Sequence, residues 1–290
     1  MSKRRSTPFQ KIQQEILTKK LLPDDLFSLL PQRWKRVGSV GILEFKSELY
    51  PWKHDLGKIY LSFLPELTTI ALKIGITNST ERVPNFEILA GEQNTITLHK
   101  ELGCKFWLDA LKLTFSNGNH AERQRMIDLT QKNEQIIDMF SCVGNLSLPL
   151  AVHNKTAKLI GIEINPNAHT FLERNIQENK IEQRYKAILG DNRTVTPKNW
   201  ADRVIMGYFS IDETQFKAAL KSLNQSRGGL IHAHGLSSSR KSKDWLKEIK
   251  NIINNSFPNF KVDSCKKIVI KTVAAGIEHF VNDIQIKRSQ

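Results

Sequence analysis

Residues 138–144, Asp138–Met139–Phe140–Ser141–Cys142–Val143–Gly144, decide the fold. They close an apolar run, IIDMF, and lead into NLSLPLAVHN, whose apolar spacing is helical. A strand ending in an acid, a tight turn containing glycine and then a helix form the opening unit of a nucleotide-binding α/β sheet. In such sheets ligands bind beyond the carboxyl ends of the strands, at the point where the strand order reverses. Asp138 closes the strand, and Gly144 lets the backbone approach a bound group closely.

Toward the C-terminus the texture keeps alternating. LIGIEI reads as a strand ending in Glu163, whose carboxylate can accept both hydroxyls of a ribose. AHTFLERNIQEN is a helix. YKAIL is a strand followed by Gly190, with Asp191 and Asn192 placed to bond an adenine edge. DRVIMGYF and GGLIHAHG are further strands around the helix FKAALKSL; KDWLKEIKNIINN is another helix; KKIVIKTV and HFVNDIQIK close as a strand pair. Alternating strands and helices predict an α/β domain over residues 113–290, with a mostly parallel doubly wound sheet and a C-terminal antiparallel strand. That is a class I methyltransferase-like Rossmann pattern. The GxGxxG fingerprint is broken and GxxxxGK[ST] is absent, so nothing cradles a phosphate. S-adenosylmethionine (AdoMet) carries no phosphate and is the favoured cofactor over NAD.

Toward the N-terminus, PFQKIQQEILTKKLL (residues 8–22) spaces its apolar residues as a helix, within a helical extension over residues 1–30. Residues 31–112 hold short apolar runs, VGILEF, KIYLSFL, TIALKIGI, TITLHK and KFWLDALKLTF, and predict a small α+β domain with several strands facing RNA. In SNGNHAERQRMI a turn leads into a helix, with Asn119 as N-cap and Glu122 three residues on.

The chain carries 43 Lys plus Arg against 29 Asp plus Glu, a net charge of +14. A surface this basic concentrates polyanions, and nucleic acid is the leading partner class. Aromatic and basic residues interleave at Arg33, Trp34, Lys35 and Arg36, which suits phosphates and a splayed base. Lys3–Arg5 and the loop with Arg240, Lys241 and Lys243 are further candidates. The three cysteines, Cys104, Cys142 and Cys265, form no CxxC pair, so neither a disulfide framework nor a zinc site is expected. No apolar run reaches ~18 residues, and the basic start MSKRRSTPFQ lacks the apolar core of a secretory signal. A cytoplasmic monomer without membrane or metal is the expectation.

These segments resemble the tRNA wybutosine-synthesising protein 2 family, relatives of the tRNA guanosine-37 N1-methyltransferases, from about Leu30 to the C-terminus. Phe115–Asn119 with Glu122, Arg123, Arg125 and Met126 resembles the family's FSSGN…EKxRM segment. DMFSCVGNLSLP resembles its DLFAGIGYFTLP loop, and Glu163–Ala168 its EWNPHA. GDNR, ADRVIMGY, GGLIHAHG and KTVAAGIEHFVNDIQI match as well, and Arg82, Pro84, Gly91, Glu101 and Gly103 echo the linking domain. The resemblance implies transfer of the 3-amino-3-carboxypropyl group of AdoMet, rather than its methyl, to a wye-base precursor of the 4-demethylwyosine type. That base lies 3′ of the anticodon in phenylalanine tRNA.

By the same resemblance, Ser116, Arg123, Glu163, Asp191 and Asn192 contact AdoMet, with Arg123 pairing the methionine carboxylate. The methyltransferase relatives carry an Arg within FxPR and an NxP motif after the fourth strand. Here Gly118 stands at the Arg position, and Met206–Gly207–Tyr208 where NxP would be. Cys142 departs from the family in the other direction, standing where the loop usually has a second glycine. His232 and His234 alternate on one strand and therefore share a face. They and Tyr208 are candidates to line the acceptor pocket, against the alternative of a satisfied core pair; no general base is named. Three other readings stay open: a guanosine N1-methyltransferase, a non-catalytic tRNA-binding protein with a degenerate site, and a small-molecule methyltransferase.

Overall fold

The computed structural model describes residues 6–75, 85–237 and 242–289. Lys3, Arg4, Arg5, Arg82, Pro84, Arg240 and Lys241 lie outside the described residues, and so does the side chain of Lys243. The chain divides into two compact units, Met1–Lys100 with Trp107–Asn117, and Glu101–Phe106 with Gly118–Gln290.

In the first unit, helix α1 (Pro8–Thr18) starts in a capping box. Thr7 Oγ1 accepts from the amide of Gln10 while Gln10 Oε1 accepts from the amide of Thr7. Ile12 and Ile16, one turn apart, are fully buried. The helix stops short of the expected residue 22. Lys20 takes a left-handed conformation (φ 48°), and the amides of Lys20 and Leu21 bond back to Leu17 and Ile16, a Schellman stop.

Four strands follow in spatial order: β1 (Lys35–Val37), β2 (Val40–Leu43), β3 (Thr69–Gly75) and β4 (Asn85–Gly91). The β2–β3 pair is parallel and the outer pairs antiparallel, with helix α2 (Lys53–Ser62) between β2 and β3. The run KIYLSFL, grouped with the strands in the sequence, therefore falls on the end of α2 and just beyond it. Leu56, Ile59 and Tyr60 bury the inner face of α2 at helical spacing, and a period of 3.6 overrides a short apolar run. β5 (Ile96–Glu101) and β6 (Cys104–Asp109) form a separate hairpin, turning through Leu102 and Gly103, both at positive φ.

The second unit is a seven-stranded sheet. Its parallel strands are β7 (Gln135–Asp138), β8 (Lys158–Glu163), β9 (Tyr185–Leu189), β10 (Arg203–Met206) and β11 (Gly228–Ser237). β13 (Ile277–Arg288) inserts antiparallel between β11 and β12 (Phe260–Ala274), giving the order β12-β13-β11-β10-β7-β8-β9. This is the doubly wound sheet with a reversed C-terminal strand that the alternation predicted. The order turns at β7, whose neighbours are β8 on one side and β10 on the other, the place where sheets of this kind bind their ligands. Helices α3 (His120–Leu129), α4 (Ser147–His153), α5 (Pro166–Glu178), α6 (Asn192–Val195), α7 (Glu213–Ser222) and α8 (Ser242–Ser256) complete the unit. Ile137, Val204, Ile231 and Ile284, from four adjacent strands, are fully buried in its core. Asn119 stands at the N-cap of α3 but makes no side-chain cap bond, and Glu122 pairs forward with Arg125, so the expected capping box is not formed.

Candidate functional site

The loop after β7 is built by its own backbone. The amide and hydroxyl of Ser141 both donate to the carbonyl of Ile162, and the Ser141 carbonyl takes the amides of Gly144 and Asn145. Two residues turn through positive φ, Cys142 (49°) and Gly144 (92°). A Cβ on Gly144 would lie 2.9 Å from Leu148 Cβ and 3.3 Å from Leu172 Cδ1. The glycine was expected to let the backbone approach a ligand. The packing of the loop on α4 and α5 independently closes the space a Cβ would take.

Glu163, at the end of β8, clasps this loop. Its carboxylate accepts the Cys142 amide at 2.7 Å and the Asn165 amide at 2.8 Å, while burial pushes its pKa up. Each carboxylate oxygen has two acceptor positions, so the two amides do not exhaust its capacity. Asn192 follows β9 and is buried. It donates to the Met139 carbonyl at 2.8 Å, and its Oδ1 has no partner among the described residues. Asp191 beside it accepts the Arg193 amide at the start of α6 and is held by the Arg193 guanidinium at 2.6–3.0 Å, which lowers its pKa. Asp138, Glu163 and Asn192 thus meet around one loop, with Asp191 adjoining.

Asp138 is fully buried beneath the loop. Burial raises its pKa to about 6, although Ser147 Oγ donates to it at 2.6 Å. That hydroxyl has one proton, given to Asp138, so the Tyr185 hydroxyl 2.6 Å away donates to Ser147 Oγ. Gly161 makes room for this chain, since a Cβ there would lie 2.6 Å from the Tyr185 hydroxyl. Sequence reasoning missed Ser147 and Tyr185 because Ser147 sits inside an apolar helix and Tyr185 opens an unremarkable strand. Across the crevice Tyr208 stacks on Phe140, ring centroids 5.1 Å apart and planes 14° from parallel.

Arg123 does not lie open to a ligand. Its side chain is fully buried; Nη1 binds both oxygens of Glu101 at 2.9 and 3.0 Å, and Nε donates to the Asn145 carbonyl at 2.7 Å. The expected partner of a methionine carboxylate is therefore a prop under the loop, already facing an acid. The histidine expectation is corrected as well. His232 is fully buried, accepts from Arg203 at Nε2 (3.0 Å) and so carries its proton on Nδ1, which donates to Asp283 at 2.5 Å. Burial holds His232 down to about 4, and the bonds from His232 and Arg125 hold Asp283 down to about 2 against its own burial. His234 is buried too and bonds His279 at 2.9 Å. His232 belongs to a polar network inside the sheet that runs from Glu134 through Arg203, His232 and Asp283 to Arg125 and Glu122. His234 Nε2 lies 3.8 Å from Glu122 Oε1 at the end of that network, and it and His279 Nδ1 are buried without a hydrogen-bond partner among the described residues.

Ser116, half-buried, belongs to the first unit, as do Arg33, Trp34, Lys35 and Arg36. Arg33 is exposed; Lys35 pairs with Glu44 at 2.9 Å, and Arg36 Nε donates to the Gly38 carbonyl. Trp34, expected as a stacking platform, packs against the unit's own core, edge-on to Tyr60 at 6.3 Å. Among the described residues no group of side chains is arranged to hold a metal, and no helix is long and apolar enough to cross a membrane.

Comparison with known proteins fits this architecture. Residues 97–262 match the TRM5/TYW2 methyltransferase domain and residues 13–95 the TYW2 N-terminal domain. The chain is 37% identical over 276 residues to a tRNA(Phe) (4-demethylwyosine(37)-C(7)) aminocarboxypropyltransferase of Pyrococcus horikoshii, covering 95% of this chain and 96% of the relative. It is 31% identical to the tRNA (guanine(37)-N(1))-methyltransferase Trm5b of Pyrococcus abyssi, over 91% of this chain and 78% of that one. The crystal structure of Pyrococcus horikoshii TYW2 in complex with MeSAdo superposes with a TM-score of 0.85 at 34% identity, covering 98% of this chain and all of that one. With the Rossmann unit and the N-terminal unit both matched, the chain belongs to the TRM5/TYW2 family.

Proposed function

We propose that this protein transfers the 3-amino-3-carboxypropyl group of AdoMet to 4-demethylwyosine at position 37 of phenylalanine tRNA. The carrying observation is the near-complete match, 37% identical, to an enzyme of that name. The residues that part the two family branches lean the same way: Gly118 in place of an arginine, and Met206–Gly207–Tyr208 in place of NxP.

The residues around the loop suit AdoMet. Glu163 offers a carboxylate for the ribose hydroxyls, and the buried, unpartnered Oδ1 of Asn192 is an acceptor suited to an amine. Asp138, Ser147 and Tyr185 hold the loop in shape, so its amides are placed before any ligand arrives. AdoMet supplies a sulfonium that activates three carbons for displacement, and the carbon held in line with the nucleophile is the one that reacts. Phe140 and Tyr208 form an aromatic wall at the carboxyl ends of β7 and β10, suited to the flat face of a base drawn out of the anticodon loop. Attack forms the carbon–carbon bond as the sulfur–carbon bond breaks, and the cationic adduct then loses the acceptor carbon's proton to solvent. His232, neutral, buried and with both nitrogens bonded, does not take that proton.

The test uses tRNA carrying the 4-demethylwyosine precursor and AdoMet labelled on the methyl or on the carboxyl carbon. Carboxyl label in the RNA is expected. Methyl label alone would replace this reading with the N1-methyltransferase, and no label without AdoMet binding would favour a degenerate site.

A further inference from the structure

Gly118 leaves a space, and the structure fills it. A Cβ built on Gly118 would lie 2.9 Å from Lys271 Nζ and 3.4 Å from Lys271 Cδ. The ammonium thus stands where a side chain at position 118 would begin, the position at which the methyltransferase relatives carry arginine. Lys271 comes from β12, far away in sequence, and donates to Asn119 Oδ1 at 2.8 Å. Asn119 spends its side-chain carbonyl on this contact although it stands at the N-cap of α3, where an asparagine ordinarily bonds a first-turn amide.

The strand is shaped around this lysine. β12 pairs with β13 with register shifts between Val269 and Lys271 and between Thr272 and Ala274, so irregularities flank Lys271 on both sides. Such irregularities re-aim side chains. Lys271 is opposite His279, which is opposite Leu236 on β11, three residues beyond the partner of Met206. The ammonium therefore stands past the carboxyl edge of the parallel strands, on the end of the sheet where ligands bind. His279 beside it is buried and neutral, its pKa held down to about 4 by burial and then by the Lys271 charge.

Two arguments identify what the cation meets. In the strand order β12 lies on the opposite side of β7 from β8 and β9, the strands that place Glu163 and Asn192, so the lysine enters from the side of the sheet away from those two residues. Attack of a neutral base on a sulfonium moves positive charge onto the base, and an ammonium against the ring would oppose it. An anion is the favourable neighbour, and the anion every RNA acceptor brings is its phosphate.

We propose that Lys271 is a tRNA-binding residue that grips a backbone phosphate beside the target nucleotide, and that Gly118 serves to leave room for it. This rests on the tRNA reading above but not on which group is transferred.

The experiment measures binding of the full chain to tRNA across a salt series, without turnover, and AdoMet binding separately without RNA. Lys271→Gln is expected to weaken tRNA binding about threefold to tenfold and to lower the slope of log affinity against log salt by about one, leaving AdoMet affinity unchanged. Lys271→Arg should retain most of the binding. Gly118→Ala should weaken binding in the parent and add little in the Lys271→Gln background, since both act through one ammonium. An unchanged salt slope overturns the proposal. So does a loss of AdoMet affinity without RNA, which would assign the ammonium to the cofactor carboxylate. A parent protein that binds tRNA but transfers methyl removes the functional reading and leaves this one standing; a parent that binds no tRNA removes both.

Discussion

Replacing Arg123 by methionine separates a prop from a ligand-binding residue. The side chain is fully buried, and its guanidinium meets Glu101, itself only 10% exposed, through two bonds, and the Asn145 carbonyl through a third. Methionine fills much of the volume but takes the guanidinium from the mostly buried Glu101 carboxylate, which keeps the exposed His120 ring at 2.9 Å. Removing one partner of a buried pair costs up to about 3–5 kcal/mol, because the remaining charge has lost its guanidinium in a site with little water. For a unit of this size that corresponds to a fall in Tm of about 10 °C. Adding Glu101→Gln should restore a large part of the loss, since the buried charge disappears while the Asn145 carbonyl still lacks its donor. Thermal and urea unfolding of the two single variants and the double variant form the cycle. If Arg123→Met melts within about 2 °C of the parent but loses AdoMet affinity a hundredfold, the guanidinium serves the methionine carboxylate and the structural account of it is wrong.

Glu163→Gln should weaken AdoMet binding roughly tenfold to a hundredfold, the worth of a hydrogen bond to a charged acceptor, measured by calorimetry; unchanged affinity would remove Glu163 from the ribose site. Ser147→Ala leaves Asp138 and Tyr185 facing each other without their bridge and should cost about 1–3 kcal/mol of stability in urea unfolding, whereas a neutral result would mean that the buried chain is unimportant. His232 should remain neutral in imidazole NMR spectra from pH 7 down to about 5. Its folded pKa of about 4 lies below the unfolded 6.5, so the unfolded chain binds the extra proton and stability is lost as pH falls through that window, by up to about 3 kcal/mol. Asp138, raised to about 6, acts oppositely over nearly the same range, favouring the folded state as pH falls. These two contributions therefore largely offset each other, and an Asp138→Asn variant should lose stability more steeply in acid.

The Rossmann unit was legible because its signals are local. Strand runs ending in Asp138, Glu163 and Leu189 alternate with helices of clear period, and the closing pair, β12 and β13, reads directly from KKIVIKTV and HFVNDIQIK. The roles of individual polar residues were less legible, because they depend on partners distant in sequence. Arg123 on α3 is paired by Glu101 at the end of β5, and His232 is bonded by Arg203 and Asp283 on the neighbouring strands. Neither partner carries a signature that distinguishes a buried ion pair from a ligand contact. Trp34 beside three basic residues looked like an RNA platform, but the Tyr60 ring that it packs against comes from a helix which the sequence grouped with strands. Lys271 had no signal of its own, because the contacts that set it apart, to Gly118 and Asn119, join residues far apart in sequence.

The most direct test of the central claim is the by-product left after one turnover on 4-demethylwyosine-containing tRNA. Displacement at the aminocarboxypropyl carbon breaks the sulfur–carbon bond to that group and leaves 5′-methylthioadenosine; displacement at the methyl leaves S-adenosylhomocysteine. The account predicts methylthioadenosine in a one-to-one ratio with modified tRNA, and S-adenosylhomocysteine in that ratio would contradict it.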